Sequence, residues 1–188
     1  ILVVPGHKGL LAPYGTGAVI TLRDVGIRPW RDGGTGTKSD ARLHPEELPY
    51  RLESGTLNAA GIAGLNAAIK FINETGLNTI AAKQRLDIQQ LLEVLQEEER
   101  VTLYGPKDAS QRAGLVSFNV EGLRSAEFGQ KMNDEWKVAG RPGLHCSPLS
   151  HRAAGTFPDG SYRLSPGYFT TADAIEAACE GIRRICRS

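Results

Sequence analysis

The period of the apolar positions shifts along the chain, and each shift predicts an element. Ile1-Leu2-Val3-Val4 is a continuous apolar run cut off by Pro5-Gly6, which predicts a short buried strand. Ala18-Val19-Ile20-Thr21-Leu22 predicts a second one. Residues 23–50 carry little periodicity. Ile62, Leu65, Ile69 and Ile72 then recur at helical spacing, so that helix should bury one face. Thr56 and Asn58 stand just ahead of it as polar capping side chains, and Gly76 closes it. Residues 79–100 form a longer amphipathic pattern with Ile88, Leu91, Leu92 and Leu95 on its stripe. Its end, Glu97-Glu98-Glu99, reads as a solvated face. Val101-Thr102-Leu103-Tyr104 is strand-like and stops at Gly105-Pro106.

From Ala113 the period is two: Val116, Phe118 and Val120 alternate with Ser117, Asn119 and Glu121, a strand with one wet face. Residues 125–138 return to helical spacing, with Phe128, Met132 and Trp136 on one side. After a Gly/Pro-rich loop, Ser161-Tyr162-Arg163-Leu164-Ser165 predicts a strand in which Arg163 faces away from Tyr162 and Leu164. A last helix aligns Ile175, Ala178, Cys179, Ile182 and Ile185. Strand, helix, strand and helix in that order predict a small α+β domain. Its boundary is expected between Gly105-Pro106 and Gly114, dividing the chain into 1–105 and 106–188.

Composition changes this picture little. The 188 residues are 40% hydrophobic and 23% charged with net charge +1, so no charge bias points to nucleic acid or an anionic membrane surface. No apolar run approaches the roughly 20 residues of a membrane helix, and no signal peptide is visible. Cys146, Cys179 and Cys186 lack metal-ligand spacing and suit a reducing cytosol, so the expectation is a cytoplasmic protein without a metal site. The first residue is not Met, and glycine clusters in the first third. Both features suggest a loop system on strands that this chain only partly contains.

Three features could carry chemistry. Lys8 follows the first strand at Pro5-Gly6-His7-Lys8-Gly9. At the mouth of a buried parallel strand, burial would favour its free amine as a nucleophile, whereas a strand running out into a turn with a solvated lysine accounts for the same residues. Cys146 lies in a Gly/Pro loop beside His145 and near Arg141, an electropositive setting that suits a reactive thiol; a half-exposed structural thiol fits that loop as well. Arg163 could bind a carboxylate bidentately, or be a surface arginine. Gly33-Gly34-Thr35-Gly36-Thr37-Lys38-Ser39 could cradle an anion with its amides but does not match a P-loop, and a surface loop reads it equally.

Together these pieces resemble the C-terminal half of the class V aminotransferase family, in its cysteine desulfurase and selenocysteine lyase-like branch. Pro5-Gly6-His7-Lys8-Gly9 resembles the family's cofactor-lysine motif, and Gly15-Thr16-Gly17 follows it as in the family. Glu53-Ser54-Gly55-Thr56-Leu57-Asn58 is similar to the family's Glu-Ala/Ser-Gly-Thr-Pro-Asn segment. Arg141-Pro142-Gly143-Leu144-His145-Cys146 resembles the Arg-x-Gly-x-His-Cys segment of desulfurases. Tyr162-Arg163-Leu164-Ser165 with Tyr168-Phe169 resembles the closing strand that carries the substrate arginine.

The resemblance implies an α/β fold: part of an aspartate aminotransferase-like, fold type I large domain (1–105, including the interdomain helix), then the small α+β domain (106–188). It implies pyridoxal 5'-phosphate, with Lys8 as Schiff-base lysine and proton carrier, His7 near the phosphate, and Thr56 reaching the phosphate of the neighbouring subunit in a homodimer. Arg163, with Arg141 nearby, would hold the α-carboxylate of a cysteine-like amino acid. Cys146 would take the sulfur as a persulfide, release alanine, and pass the sulfur to an acceptor protein. The alternatives are another class V enzyme (aminotransferase, lyase or epimerase) that does not use Cys146, and an inert folded module that only dimerises or binds. Two departures are visible. Pro5 stands where many desulfurases have serine, which removes one hydroxyl from the implied phosphate site. The family's N-terminal half, with its phosphate loop, ring-stacking aromatic and aspartate for the ring nitrogen, has no counterpart here. Asp24, Asp32 and Asp40 all follow Lys8 and cannot replace that aspartate. The expectation is therefore a fragment of a longer enzyme.

Overall fold

The computed structural model describes residues 1–38 and 40–188; Ser39, the last residue of the glycine-rich run considered as an anion cradle, lies outside the described residues. Contacts gather into two units, Ile1–Gly76 and Leu77–Ser188.

In the first unit, β1 (Leu2–Pro5) pairs antiparallel with β2 (Gly17–Ile20), Leu2 opposite Ile20 and Pro5 opposite Gly17. The connecting turn is pinned by Gly6 N donating to Thr16 O at 2.8 Å and Ala12 N donating to Gly6 O at 2.9 Å. Gly6 is required there, because a Cβ would collide with Thr16 Oγ1. Both strands form as predicted, but neither is buried: Leu2, Val3, Val19 and Ile20 stay exposed. Among the described residues of this unit the two-stranded ribbon has no third strand to cover it, and β1 is antiparallel rather than the parallel strand expected. After an irregular stretch comes α1 (Ala59–Thr75), capped by the Asn58 side chain, which accepts from Gly61 N at 3.0 Å, and closed by Gly76 at φ 87°. Of its expected buried face, Ile72 is buried and Leu65 half-buried, while Ile62 and Ile69 are exposed.

The second unit is built from α2 (Leu77–Glu97), β3 (Val101–Tyr104), β4 (Val116–Val120), α3 (Ser125–Trp136), β5 (Arg141–Gly143), α4 (Pro148–Ala153), β6 (Ser161–Leu164) and α5 (Ala172–Arg187). Its four strands lie in the order β3-β4-β6-β5, all antiparallel, with Phe118 opposite Tyr162 and Arg163 opposite Arg141. Alternation along β4 and β6 turns Phe118, Tyr162 and Leu164 into a core with Ile88, Leu91, Leu92, Leu95, Met132 and Ile182. The rings of Phe118, Phe128 and Tyr162 meet edge-on at 5.0 to 5.7 Å. Each such side chain contributes about 1.5–3 kcal/mol by leaving water.

Two details differ from the sequence reading. Glu98 is buried rather than solvated, ion-paired with Arg187 at 2.7 Å, because the chain turns inward where α2 ends. The stretch expected as loop contains β5 and α4, each too short to show a period. The apolar stripe of α2 packs on α5, so α2 gathers with the second unit after Gly76. Among the described residues, no helix is long and apolar enough to cross a membrane.

Candidate functional site

The second unit concentrates chemistry where β5 runs into α4. Two consecutive non-glycine residues, His145 (φ 52°) and Cys146 (φ 60°), adopt the left-handed conformation. Side chains rarely tolerate that region, and such strain clusters at functional sites. Ser147 N donates to Leu144 O at 2.8 Å to close the turn. The turn leaves Cys146 exposed and brings its Sγ to 3.5 Å from Arg141 Nη2. His145 Nε2 lies 2.7 Å from the Arg141 carbonyl, so this nitrogen carries the ring proton. Burial holds the His145 ring below the usual histidine range; the hydrogen bond to the Arg141 carbonyl opposes this, and the nearby guanidinium groups of Arg163 and Arg141 add to it. The ring centroid of His151 is 5.4 Å from that of His145, and His151 Nδ1 is 2.7 Å from Thr156 Oγ1.

Arg163 projects to the sheet face opposite the core, as the period of β6 predicts. There it lines a cleft of about 340 Å³ with Ser117, His145, His151, Thr156 and Ser161. No carboxylate side chain is among the cleft's lining residues, and Arg163 Nε is buried without a hydrogen-bond partner. Arg163 is thus the one guanidinium among the cleft's lining residues. Cys179 and Cys186 are buried in α5, and burial raises both thiols, Cys186 to about 11, so neither is poised to react.

In the first unit, Lys8 sits in the turn after β1, where its carbonyl accepts from Leu11 N at 3.0 Å. With β1 uncovered, Lys8 is exposed, as in the reading of a solvated lysine in a turn. Among the described residues its amine has no hydrogen-bond or ion-pair partner. His7 stacks on Tyr14 at 5.1 Å between centroids. Thr56 is exposed, and its hydroxyl is not spent on capping α1, a role taken by Asn58. As a donor set for pyridoxal phosphate these residues fit in kind: a free amine for a covalent bond, and an uncommitted hydroxyl and an imidazole for a phosphate.

The structure therefore brings Arg141, His145, Cys146 and Arg163 together in one unit, and places His7, Lys8 and Thr56 in the other. His151 escaped the sequence reading. Its only signal is a position six residues after His145, across a helix start that has no period.

The chain belongs to the aminotransferase class-V family, whose model matches residues 1–178. It is 32% identical to a cysteine desulfurase of Serratia proteamaculans over 97% of this chain and 45% of the relative. To a probable cysteine desulfurase of Pyrococcus abyssi it is 31% identical over 100% of the chain and 47% of the relative. Among solved structures, a cysteine desulfurase of Thermococcus onnurineus superposes with TM-score 0.81 at 28% identity, covering 98% of this chain and 46% of that one. One from Escherichia coli, at 22% identity and TM-score 0.80, shares the fold. The mixed α/β architecture is that of part of a fold type I enzyme, as the resemblance implied. The chain spans about half the length of the curated relatives it matches.

Proposed function

We propose that the protein containing this chain is a pyridoxal-phosphate-dependent cysteine desulfurase, which converts cysteine to alanine and leaves the sulfur on Cys146 as a persulfide. The observation that carries this reading is Cys146 itself: it alone of the three free cysteines is exposed, on a strained turn 3.5 Å from a guanidinium. A class V enzyme that made no use of this thiol would have no need of that turn.

The cofactor, when bound, supplies an electron sink at the substrate carbon. Lys8 anchors it and moves the proton at that carbon; its uncommitted amine supports both tasks. His7 attends the phosphate, and Thr56 reaches the phosphate site of the neighbouring subunit, which makes the working unit a homodimer. Arg163 grips the α-carboxylate, the anion its acid-free cleft suits. The Cys146 thiolate then attacks the substrate sulfur. A sulfur–sulfur bond forms, the carbon–sulfur bond breaks with its electron pair left on carbon, and that carbon takes a proton to become alanine. A sulfur-acceptor protein collects the sulfur in the cytoplasm. On this reading, residues 1–105 belong to the large cofactor domain and 106–188 to the small domain.

In the protein that contains this chain, Cys146→Ala should abolish release of alanine from cysteine, and Lys8→Ala should abolish every cofactor-dependent reaction. Unchanged alanine production by Cys146→Ala would sink the persulfide role. On the chain itself, pyridoxal phosphate followed by borohydride should add covalent mass at Lys8, and mass found on other lysines alone would count against the anchor.

A further inference from the structure

We infer that Arg141 is a positioning residue for the sulfur on Cys146, and that the substrate carboxylate is left to Arg163 alone. The role rests on the desulfurase reading, but the contact behind it does not. Arg141 and Arg163 face each other in register on β5 and β6. They part ways. Arg163 lines the acid-free cleft with its Nε buried and unpartnered, whereas Arg141 is absent from the cleft lining and directs Nη2 to Cys146 Sγ at 3.5 Å.

Arg141 also holds the turn that presents the thiol. Its carbonyl accepts from His145 Nε2 at 2.7 Å, fixing the first of the two left-handed residues, while its guanidinium meets the side chain of the second. One residue thus sets both the path of the backbone and the donor that faces the sulfur. A hydrogen bond from a guanidinium to an anionic acceptor is charge-assisted, and the fork of five donors can follow an acceptor that grows by one atom. That is what happens at Cys146 when thiolate becomes persulfide, whose terminal sulfur is the anionic end. Arg141 holds this end at the turn until an acceptor takes it.

The inference is tested on the chain itself by alkylating Cys146 with iodoacetate, an anion, and with iodoacetamide, its neutral counterpart, and reading each rate by peptide mass spectrometry. The wild type should favour the anionic reagent. The ratio of the two rates should fall about fivefold in Arg141→Gln and recover in part in Arg141→Lys. Cys179 and Cys186, buried in α5, must stay unlabelled for a variant to count as folded. An unchanged ratio in folded Arg141→Gln overturns the inference. Should that variant unfold, the wild type decides: its ratio must drop on going from low to high salt, and a salt-independent ratio overturns the inference equally. No cofactor or substrate enters the measurement, so its failure is distinct from a failure of the desulfurase reading, which alanine release decides.

Discussion

At the scale of single residues, His145 couples the candidate site to pH. Burial, with Arg163 and Arg141 nearby, outweighs the hydrogen bond to the Arg141 carbonyl and favours the neutral ring in the folded chain, so the unfolded chain takes up a proton at the higher pH. The stability His145 contributes is complete above about pH 6.5 and is lost as pH falls toward the lower folded value. A proton NMR titration should find the His145 midpoint below that of an unfolded peptide, and a midpoint above it would refute the assignment. Gly160 is a second sensitive position. It lies at φ 77°, and a Cβ there would strike the Gly143 carbonyl. A side chain at 160 would therefore push on the strand that begins with Arg141.

At the scale of elements, the same helical period has two outcomes. The stripe of α5 is buried throughout, from Ile175 to Ile185, while that of α1 is half exposed. Close packing of α5 on α3 depends on Gly181, where an added Cβ would stand 2.8 Å from Trp136 Cγ and 2.9 Å from Met132 Sδ. Gly181→Ala should cost about 1–3 kcal/mol in urea unfolding, since a core already at native density must shift to admit a methyl. A gain in stability, the usual effect of replacing glycine in a helix, would show the contact to be loose. The C-terminal end of α5 is tied down as well: Arg100 Nη1 donates to Cys186 O at 3.0 Å, and Arg187 pairs with the buried Glu98 at 2.7 Å.

At the scale of the molecule, the two units differ in how much apolar surface they bury. Among the described residues, nearly all buried hydrophobic ones belong to Leu77–Ser188, and Ile1–Gly76 contributes only Ala12 and Ile72. The second unit should therefore resist unfolding on its own, and the first should open at far lower free energy. Limited proteolysis of the chain should leave a resistant fragment that starts near Leu77, while survival of a fragment confined to residues 1–76 would contradict this ordering. A cofactor held by Lys8 would stabilise the weaker unit by mass action.

Residue pattern alone determined most elements of the second unit, because each buries one continuous face and so repeats with a clean period: α5, the stripe of α2, and the alternation that turned Arg163 away from Tyr162 and Leu164. The motifs around Lys8, Thr56, Cys146 and Arg163 were equally legible, since they depend on local order along the chain. Burial was not legible. Ile1-Leu2-Val3-Val4 has the composition of an interior strand, yet what lies over a strand is a property of neighbours that its own residues do not encode. Only the tertiary structure made Glu98 a buried partner of Arg187, assembled β5 and α4 from a stretch without period, and aimed Arg141 at the Cys146 sulfur while leaving Arg163 to the cleft. Those outcomes depend on contacts between residues far apart in sequence and on backbone angles at His145 and Cys146, which no hydrophobic pattern records.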